Sequence, residues 1–161
     1  MKKVAIAVLA TILLMLCVAC NSDNNGGGNY SDVSVNDVLK LINDSVGTVT
    51  AVEVGTEETD GNNLLGKANQ YIELGWFMDE RVISEWDDDP EFETSNGGTL
   101  EKFANTRDAR TRHEYLAGFS GFLAQYSEIY GVWVIRLSND FTASQQSELT
   151  EIIKNVIREL D

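Results

Sequence analysis

The stretch IYGVWVIRL, residues 129–137, is nearly continuous in apolar side chains. Such a run is typical of a strand in the interior of a sheet, where both faces of the strand are covered. We therefore predict a central β-strand at residues 129–137.

Three further strands are predicted on the N-terminal side of this run. Residues 48–54 are short and β-branched, residues 71–78 alternate in polarity, and residues 99–103 form a third short segment. The alternation places Ile72, Leu74, Trp76 and Met78 on one face. We also expect a short strand at residues 81–83.

Helices are predicted where a capping motif precedes apolar residues at helical spacing. Ser34 with Asp37 begins a helix over residues 35–45, which ends before Gly47. Asn105 with Asp108 begins a second helix, with apolar positions that extend to Phe119, Phe122 and Leu123. Thr142 with Gln145 begins the last helix, whose apolar stripe includes Leu149, Ile152, Ile153, Val156, Ile157 and Leu160.

The element order is therefore α-β-β-β-α-β-α, within one domain of residues 32–161. It predicts an α+β fold, with a mostly antiparallel sheet of four to five strands and helices packed on one face. With 43% apolar residues and three Trp in the chain, the body of the sequence is not that of a disordered segment.

The first 19 residues have the composition of a secretory signal peptide. Met1, Lys2 and Lys3 form a cationic start, and residues 4–19 are apolar except for Thr11. A membrane-spanning helix needs about 20 apolar residues, so this stretch is slightly short for one. A signal anchor that stays attached is the alternative.

Val18-Ala19-Cys20 resembles the lipobox of bacterial lipoproteins, in which a small residue precedes a Cys that becomes the new N-terminus. Cys17 stands where the lipobox usually has Leu, three residues before the lipidated Cys. The resemblance implies a lipid on Cys20 and a position on the extracytoplasmic face of the cell membrane. Cleavage before Cys20 would leave the mature chain with this single Cys, so it could form no internal disulfide.

Residues 20–31 are expected to be the lipidated N-terminus and a flexible tether. Asn, Gly and Ser dominate residues 21–31, and such a coil spans roughly 18 Å. Cleavage removes two Lys, so the mature chain would carry 12 − 2 = 10 basic and 26 acidic residues, a net charge of −16. This charge argues against binding to nucleic acid and against direct adsorption to anionic lipid.

Residues 79–98 are acidic, contain the only Pro of the chain, and predict a long exposed loop. Aromatic rings beside acidic groups can contact a protein, a peptide or a glycan. Within and beside this loop we select six candidate binding residues, namely Trp76, Trp86, Asp87, Asp88, Asp89 and Glu91. Their acids could also hold a hard cation, although the spacing is not that of an EF-hand, and a solvated acidic loop is the simpler interpretation.

Catalytic motifs are not evident, and no cofactor or catalytic residue is assigned. The only His, His113, lies beside the apolar face of the second predicted helix, where we expect a packed or boundary residue. Gly118-Phe119-Ser120-Gly121 is not a nucleophile elbow. The abundant carboxylates leave open a small envelope hydrolase that uses a carboxylate pair. A structural or spacer lipoprotein is the third possibility.

A second resemblance covers roughly residues 63–137. Short motifs in this region are similar to a class of small Gram-positive lipoproteins, and they imply an extracytoplasmic module without assigning a catalytic residue. The motifs are residues 63–67 (NLLGK), 70–71 (QY) and 98–103 (GTLEKF), with Asp108, Ala109 and Tyr115. The sequence as a whole thus predicts a lipid-anchored envelope module that binds through residues 79–98.

Overall fold

The computed structural model describes residues 30–83, 90–119 and 126–161. These residues form three α-helices and five β-strands in the order α-β-β-β-α-β-β-α. The predicted α+β class is confirmed. The helices are α1 (Val35–Ser45), α2 (Thr106–Ala117) and α3 (Ala143–Leu160), and the strands are β1 (Val49–Val54), β2 (Glu73–Asp79), β3 (Gly97–Lys102), β4 (Tyr126–Tyr130) and β5 (Trp133–Leu137).

The five strands form one antiparallel sheet with the order β1-β2-β3-β5-β4. Strand β3 lies in the middle, where Leu100 pairs with Gly75 on one side and with Ile135 on the other. The strands predicted at residues 48–54, 71–78 and 99–103 correspond to β1, β2 and β3, with shifts of one or two residues at most ends.

The prediction of one central strand over residues 129–137 is wrong. This stretch contains the end of β4, a two-residue turn at Gly131 and Val132, and all of β5. Tyr130 pairs with Trp133 across the turn, and Gly131 has a φ of 60°. Glycine adopts this left-handed conformation without steric cost, so Gly131 permits a hairpin that the apolar run conceals.

Both faces of the sheet are covered by helices. Phe77, Leu100 and Ile135 pack in a core with α1 and α3. Trp76 and Val134, the sequence neighbours of Phe77 and Ile135, pack in a second core with residues of α2 on the opposite face. The expectation that all helices share one face therefore has to be corrected for α2, because strands with apolar residues on both faces need cover on both.

The starts of the three helices and the end of α1 were predicted correctly, whereas the end of α2 was not. Asn105 Oδ1 accepts a hydrogen bond from the N–H of Asp108 at 3.0 Å, and Thr142 and Gln145 form the expected capping box. Helix α2 ends at Ala117 with Gly118 as its C-cap, so Phe119 lies beyond it. The other two expected apolar positions, Phe122 and Leu123, lie outside the described residues.

The short strand expected at residues 81–83 is absent from the described structure. The backbone N–H and the Nε of Arg81 donate to Oδ1 of Asp79 at 3.0 and 2.8 Å. Its Nη2 donates to Oδ2 of the same carboxylate at 2.5 Å. The chain therefore folds back on Asp79 in a turn at the end of β2 instead of extending as a strand.

The folded part of the chain includes Tyr30, a residue that was predicted to belong to the tether. Its ring stacks on that of Tyr130 with the centroids 4.6 Å apart, and 6% of the residue is exposed. Its carbonyl oxygen accepts a hydrogen bond from Nε1 of Trp133 at 3.2 Å. The chain thus joins the domain beside edge strand β4.

Candidate functional site

A cleft of about 430 Å³ lies at the β1–β2 end of the sheet, on the face that α2 also covers. We call it the aromatic cleft, because Trp76 and Phe92 both line it. The remaining lining residues bring two carboxylates, a hydroxyl and a proline ring to the same place. The six lining residues are Glu53, Thr59, Trp76, Pro90, Glu91 and Phe92.

Trp76 is held in the cleft by its position in β2. Its neighbours on the adjacent strands are Glu53 and Thr99. A Cβ added to Gly55 would meet Cη2 and Cζ3 of the indole at 3.0 Å, so the ring lies close against the backbone of Gly55. Only 8% of Trp76 is exposed. The indole is therefore mostly core, and the small part of it that lines the cleft is held rigidly, so it would lose little side-chain freedom when a ligand binds.

The segment that carries Pro90, Glu91 and Phe92 is fastened to the sheet on its C-terminal side. Oγ1 of Thr94 and Oγ1 of Thr99 are 2.7 Å apart and both residues are buried. The side-chain amide of Asn96 donates to the carbonyl oxygen of Glu91 at 2.9 Å. These contacts place the segment opposite Trp76.

The loop that supplies Thr59 is organised around the buried carboxylate of Asp60. This carboxylate accepts hydrogen bonds from the N–H groups of Leu64 at 2.6 Å, Leu65 at 2.8 Å and Asn62 at 3.1 Å. It also accepts a hydrogen bond from the hydroxyl of Tyr71 at 2.8 Å. Burial opposes ionisation, but these donors outweigh it and lower the pKa of Asp60. Burial and the same bond raise the pKa of Tyr71.

On the rest of this face, polar side chains of α2 contact side chains of the sheet. Arg112 pairs with the buried carboxylate of Glu101, which Arg136 also contacts at 3.0 Å. Nδ1 of His113 lies 3.0 Å from the hydroxyl of Ser127. Within the described residues this is the one side-chain hydrogen bond of His113, as expected for a half-buried boundary histidine.

Of the six candidate binding residues, the structure brings Trp76 and Glu91 together in the aromatic cleft. Trp86, Asp87, Asp88 and Asp89 lie outside the described residues, as does Cys20. The other four lining residues, Glu53, Thr59, Pro90 and Phe92, were not among the predicted binding residues. Glu53 is the one charged residue of a β-branched strand and could have been noticed as such, whereas Thr59 and Phe92 carry no local signal.

The described part of the chain contains neither a metal-binding cluster nor a membrane-spanning helix. Residues 30–83, 90–119 and 126–161 contain no group of three or more His, Cys, Asp or Glu side chains placed to hold a metal ion. In the same residues, no helix combines the length and the hydropathy that crossing a membrane requires. No protein-family model matches the chain, and no curated protein or solved structure shows significant similarity to it.

Proposed function

We propose that this protein is an extracytoplasmic binding module of the bacterial cell envelope, tethered by a lipid on Cys20, that holds its ligand in the aromatic cleft. The observation that carries the proposal is the meeting of Trp76 and Glu91. They lie on different segments, Trp76 in β2 and Glu91 in the segment that precedes β3, yet they line one cleft together with Glu53 and Phe92.

The composition of the cleft supports a binding role. Concave sites with aromatic walls and a few polar groups are typical of ligand binding, because the aromatic area supplies affinity and the polar groups fix orientation. The charged side chains among the six lining residues are the carboxylates of Glu53 and Glu91, and none of the six is cationic. Such a cleft favours a ligand that combines apolar area with hydrogen-bond donors or positive charge.

The point at which the described chain begins also supports the proposal. The described chain begins at Tyr30, beside edge strand β4, whereas the aromatic cleft contains Glu53 of the opposite edge strand β1. Four strand spacings of about 4.8 Å separate the two edges, or roughly 19 Å. A tether that ends at Tyr30 would therefore join the domain near the edge opposite the strand that carries Glu53.

The lipid anchor can be tested by metabolic labelling with radioactive palmitate. We expect label in the wild type and in Cys17→Ser, and no label in Cys20→Ser. Cys17 is the matched control because it would be removed with the signal peptide. Equal labelling of wild type and Cys20→Ser would contradict the assignment of the anchor.

The cleft can be tested separately by photo-crosslinking on intact cells. A benzophenone side chain at Thr59, in the wall of the cleft, should give a discrete adduct. The same group at Asn43, exposed on α1 across the sheet, should not. Glu91→Gln in the Thr59 background should weaken the adduct without altering the fold, because Glu91 is exposed. Equal adducts from both positions would refute a ligand in the cleft.

A further inference from the structure

We propose that the ligand is a basic, extended peptide segment that pairs with the outer edge of β1 as an additional strand and places a Lys or Arg beside Glu53. This inference rests on the proposed function and names the chemical class of its ligand. It depends on three features of β1, namely its backbone hydrogen bonds, its side chains and the charge around it.

The backbone of β1 has hydrogen-bonding groups directed away from the sheet. The N–H of Gly55 donates to the carbonyl oxygen of Leu74 at 2.8 Å, and Glu53 lies opposite Trp76. In an antiparallel pair, alternate residues direct both backbone groups to the partner. Gly55 and Glu53 therefore face β2, and Val52 and Val54 direct their N–H and C=O outward. Within the described residues, β1 has β2 as its single neighbour in the sheet.

The side chains of β1 provide little of the protection that edge strands usually carry. Lys, Pro and inward-pointing charges are the common means of preventing further strand pairing. Strand β1 is VTAVEV, and Glu53 is its only charged residue. An irregularity in register between Val49 and Ala51 protects the first half of the strand. The second half, which borders the aromatic cleft, is regular, and Val54 is 44% exposed there.

The charge around β1 selects a basic partner. Residues 41–66 contain five acidic residues and no Lys, Arg or His, and the described residues 90–93 beside the cleft add Glu91 and Glu93 and again no base. These two segments supply five of the six residues of the aromatic cleft, all but Trp76. A second copy of this chain would bring Glu53 and its acidic surroundings against another set of the same charges. The net charge of −14 therefore disfavours pairing between copies.

The alternation of side chains predicts a pattern for the ligand. On an added strand, residues on the cleft side would lie next to Glu53, and residues on the other side would lie next to Val52 and Val54. Basic residues suit the positions beside Glu53, and β-branched apolar residues suit the positions beside Val52 and Val54. The expected segment therefore alternates Lys or Arg with Val or Ile. Backbone bonds would supply affinity and Glu53 would supply selectivity.

The test is calorimetric titration of the purified protein with a short capped peptide of alternating Lys and Val. Val54→Pro removes an outward N–H and leaves the bonds between β1 and β2 in place, since proline is tolerated on the outer side of an edge strand. We expect this change to weaken binding about ten-fold or more, whereas Val54→Thr should bind as the wild type does. Glu53→Gln should weaken binding and reduce its dependence on salt. Thermal unfolding checks that each variant is folded.

A second peptide isolates the backbone contribution. Methylation of alternate backbone nitrogens keeps every side chain and charge but removes the donors that would face β1. Equal binding of the methylated and unmethylated peptides, or of Val54→Pro and wild type, would overturn strand addition. Self-association that Val54→Pro abolishes would show that a second copy occupies the edge, and would also overturn the proposal.

The proposed function can survive the failure of this inference. A neutral oligosaccharide that binds the wild type, binds less well to Glu91→Gln and competes for the adduct at Thr59 would support the aromatic cleft as a binding site. Combined with no binding of the basic peptide, this result would reject the peptide and keep the cleft. Absence of a specific adduct at Thr59 together with absence of peptide binding would reject both.

Discussion

The guanidinium of Arg112 holds the carboxylate of Glu101 with two parallel hydrogen bonds, Nε to Oε2 at 2.8 Å and Nη2 to Oε1 at 2.7 Å. Glu101 is fully buried, and the side chain of Arg112 is 9% exposed. Burial opposes the charge of Arg112, but the contact with Glu101 outweighs it and raises the pKa of Arg112. The pair joins α2 to the middle strand of the sheet.

Arg112→Met should destabilise the protein, because it removes one of the two guanidinium groups that contact the buried carboxylate of Glu101. Removing one partner of a buried ion pair typically costs about 3 kcal/mol in the free energy of unfolding. Arg107→Met is the matched control, since the side chain of Arg107 on the same helix is 85% exposed. We expect the control to change stability by less than about 0.5 kcal/mol. Equal urea midpoints for the two variants would contradict the prediction.

Asp60→Asn should destabilise the protein at neutral pH by about 2 kcal/mol, because Asn offers one acceptor oxygen where the carboxylate offers two to its four donors. The pKa of Asp60 is lowered in the folded state. Its ionisation therefore stabilises the fold above the pKa of the unfolded chain, about 3.9, and this contribution is lost as the pH falls through the folded value.

The difference between wild type and Asp60→Asn should accordingly shrink as the pH is lowered from 7 toward 3. Urea unfolding followed by fluorescence at several pH values measures it. Glu57→Gln, an exposed substitution in the same loop, serves as the control and should behave as the wild type does. A difference that stays constant across this range would show that the charge of Asp60 does not stabilise the loop.

The sequence predicted most elements because the signals for them are local. Asn105 and Thr142 begin helices through hydrogen bonds to residues three positions away, so their motifs can be recognised without knowing the fold. The hairpin at Gly131 was missed because a left-handed glycine inside an apolar run also fits one uninterrupted strand. The placement of α2 was missed because it depends on contacts between distant segments, such as Arg112 with Glu101.

The candidate site was predicted only in part, because its residues meet through contacts between separate segments of the chain. Trp76 and Glu91 were selected as an aromatic and an acid near one loop, and their meeting in the aromatic cleft depends on the pairing of β2 with its neighbours. Glu53 enters the cleft through the register that places it opposite Trp76, which no local pattern reveals. The hydrolase and spacer alternatives stay predictions, as does the lipid on Cys20.

Gly97→Ala should be strongly destabilising, because a Cβ there would lie 2.1 Å from the carbonyl oxygen of Phe77. Backbone must move to relieve this overlap, and overpacking of this kind costs about 3 kcal/mol in the free energy of unfolding. Gly47→Ala is the matched control, since a Cβ at Gly47 would meet nothing within 4 Å. Denaturant unfolding of both variants tests the prediction. Equal stabilities would show that β2 and β3 are not so closely apposed at Gly97.

Tyr30→Ala should lower the free energy of unfolding by about 3 kcal/mol, because it removes a buried ring stacked on Tyr130. Tyr30→Phe keeps the ring and loses only the hydroxyl that accepts from Tyr130 at 2.6 Å, so about 1 kcal/mol is expected. Ser31→Ala, an exposed neighbour, is the control. If Tyr30→Ala matched Ser31→Ala in denaturant unfolding, Tyr30 would belong to the tether, and the folded domain would begin after it. The free energy of unfolding should therefore increase from Tyr30→Ala to Tyr30→Phe to wild type. This order would show that Tyr30, where the proposed lipid tether meets the domain, contributes to the stability of the fold.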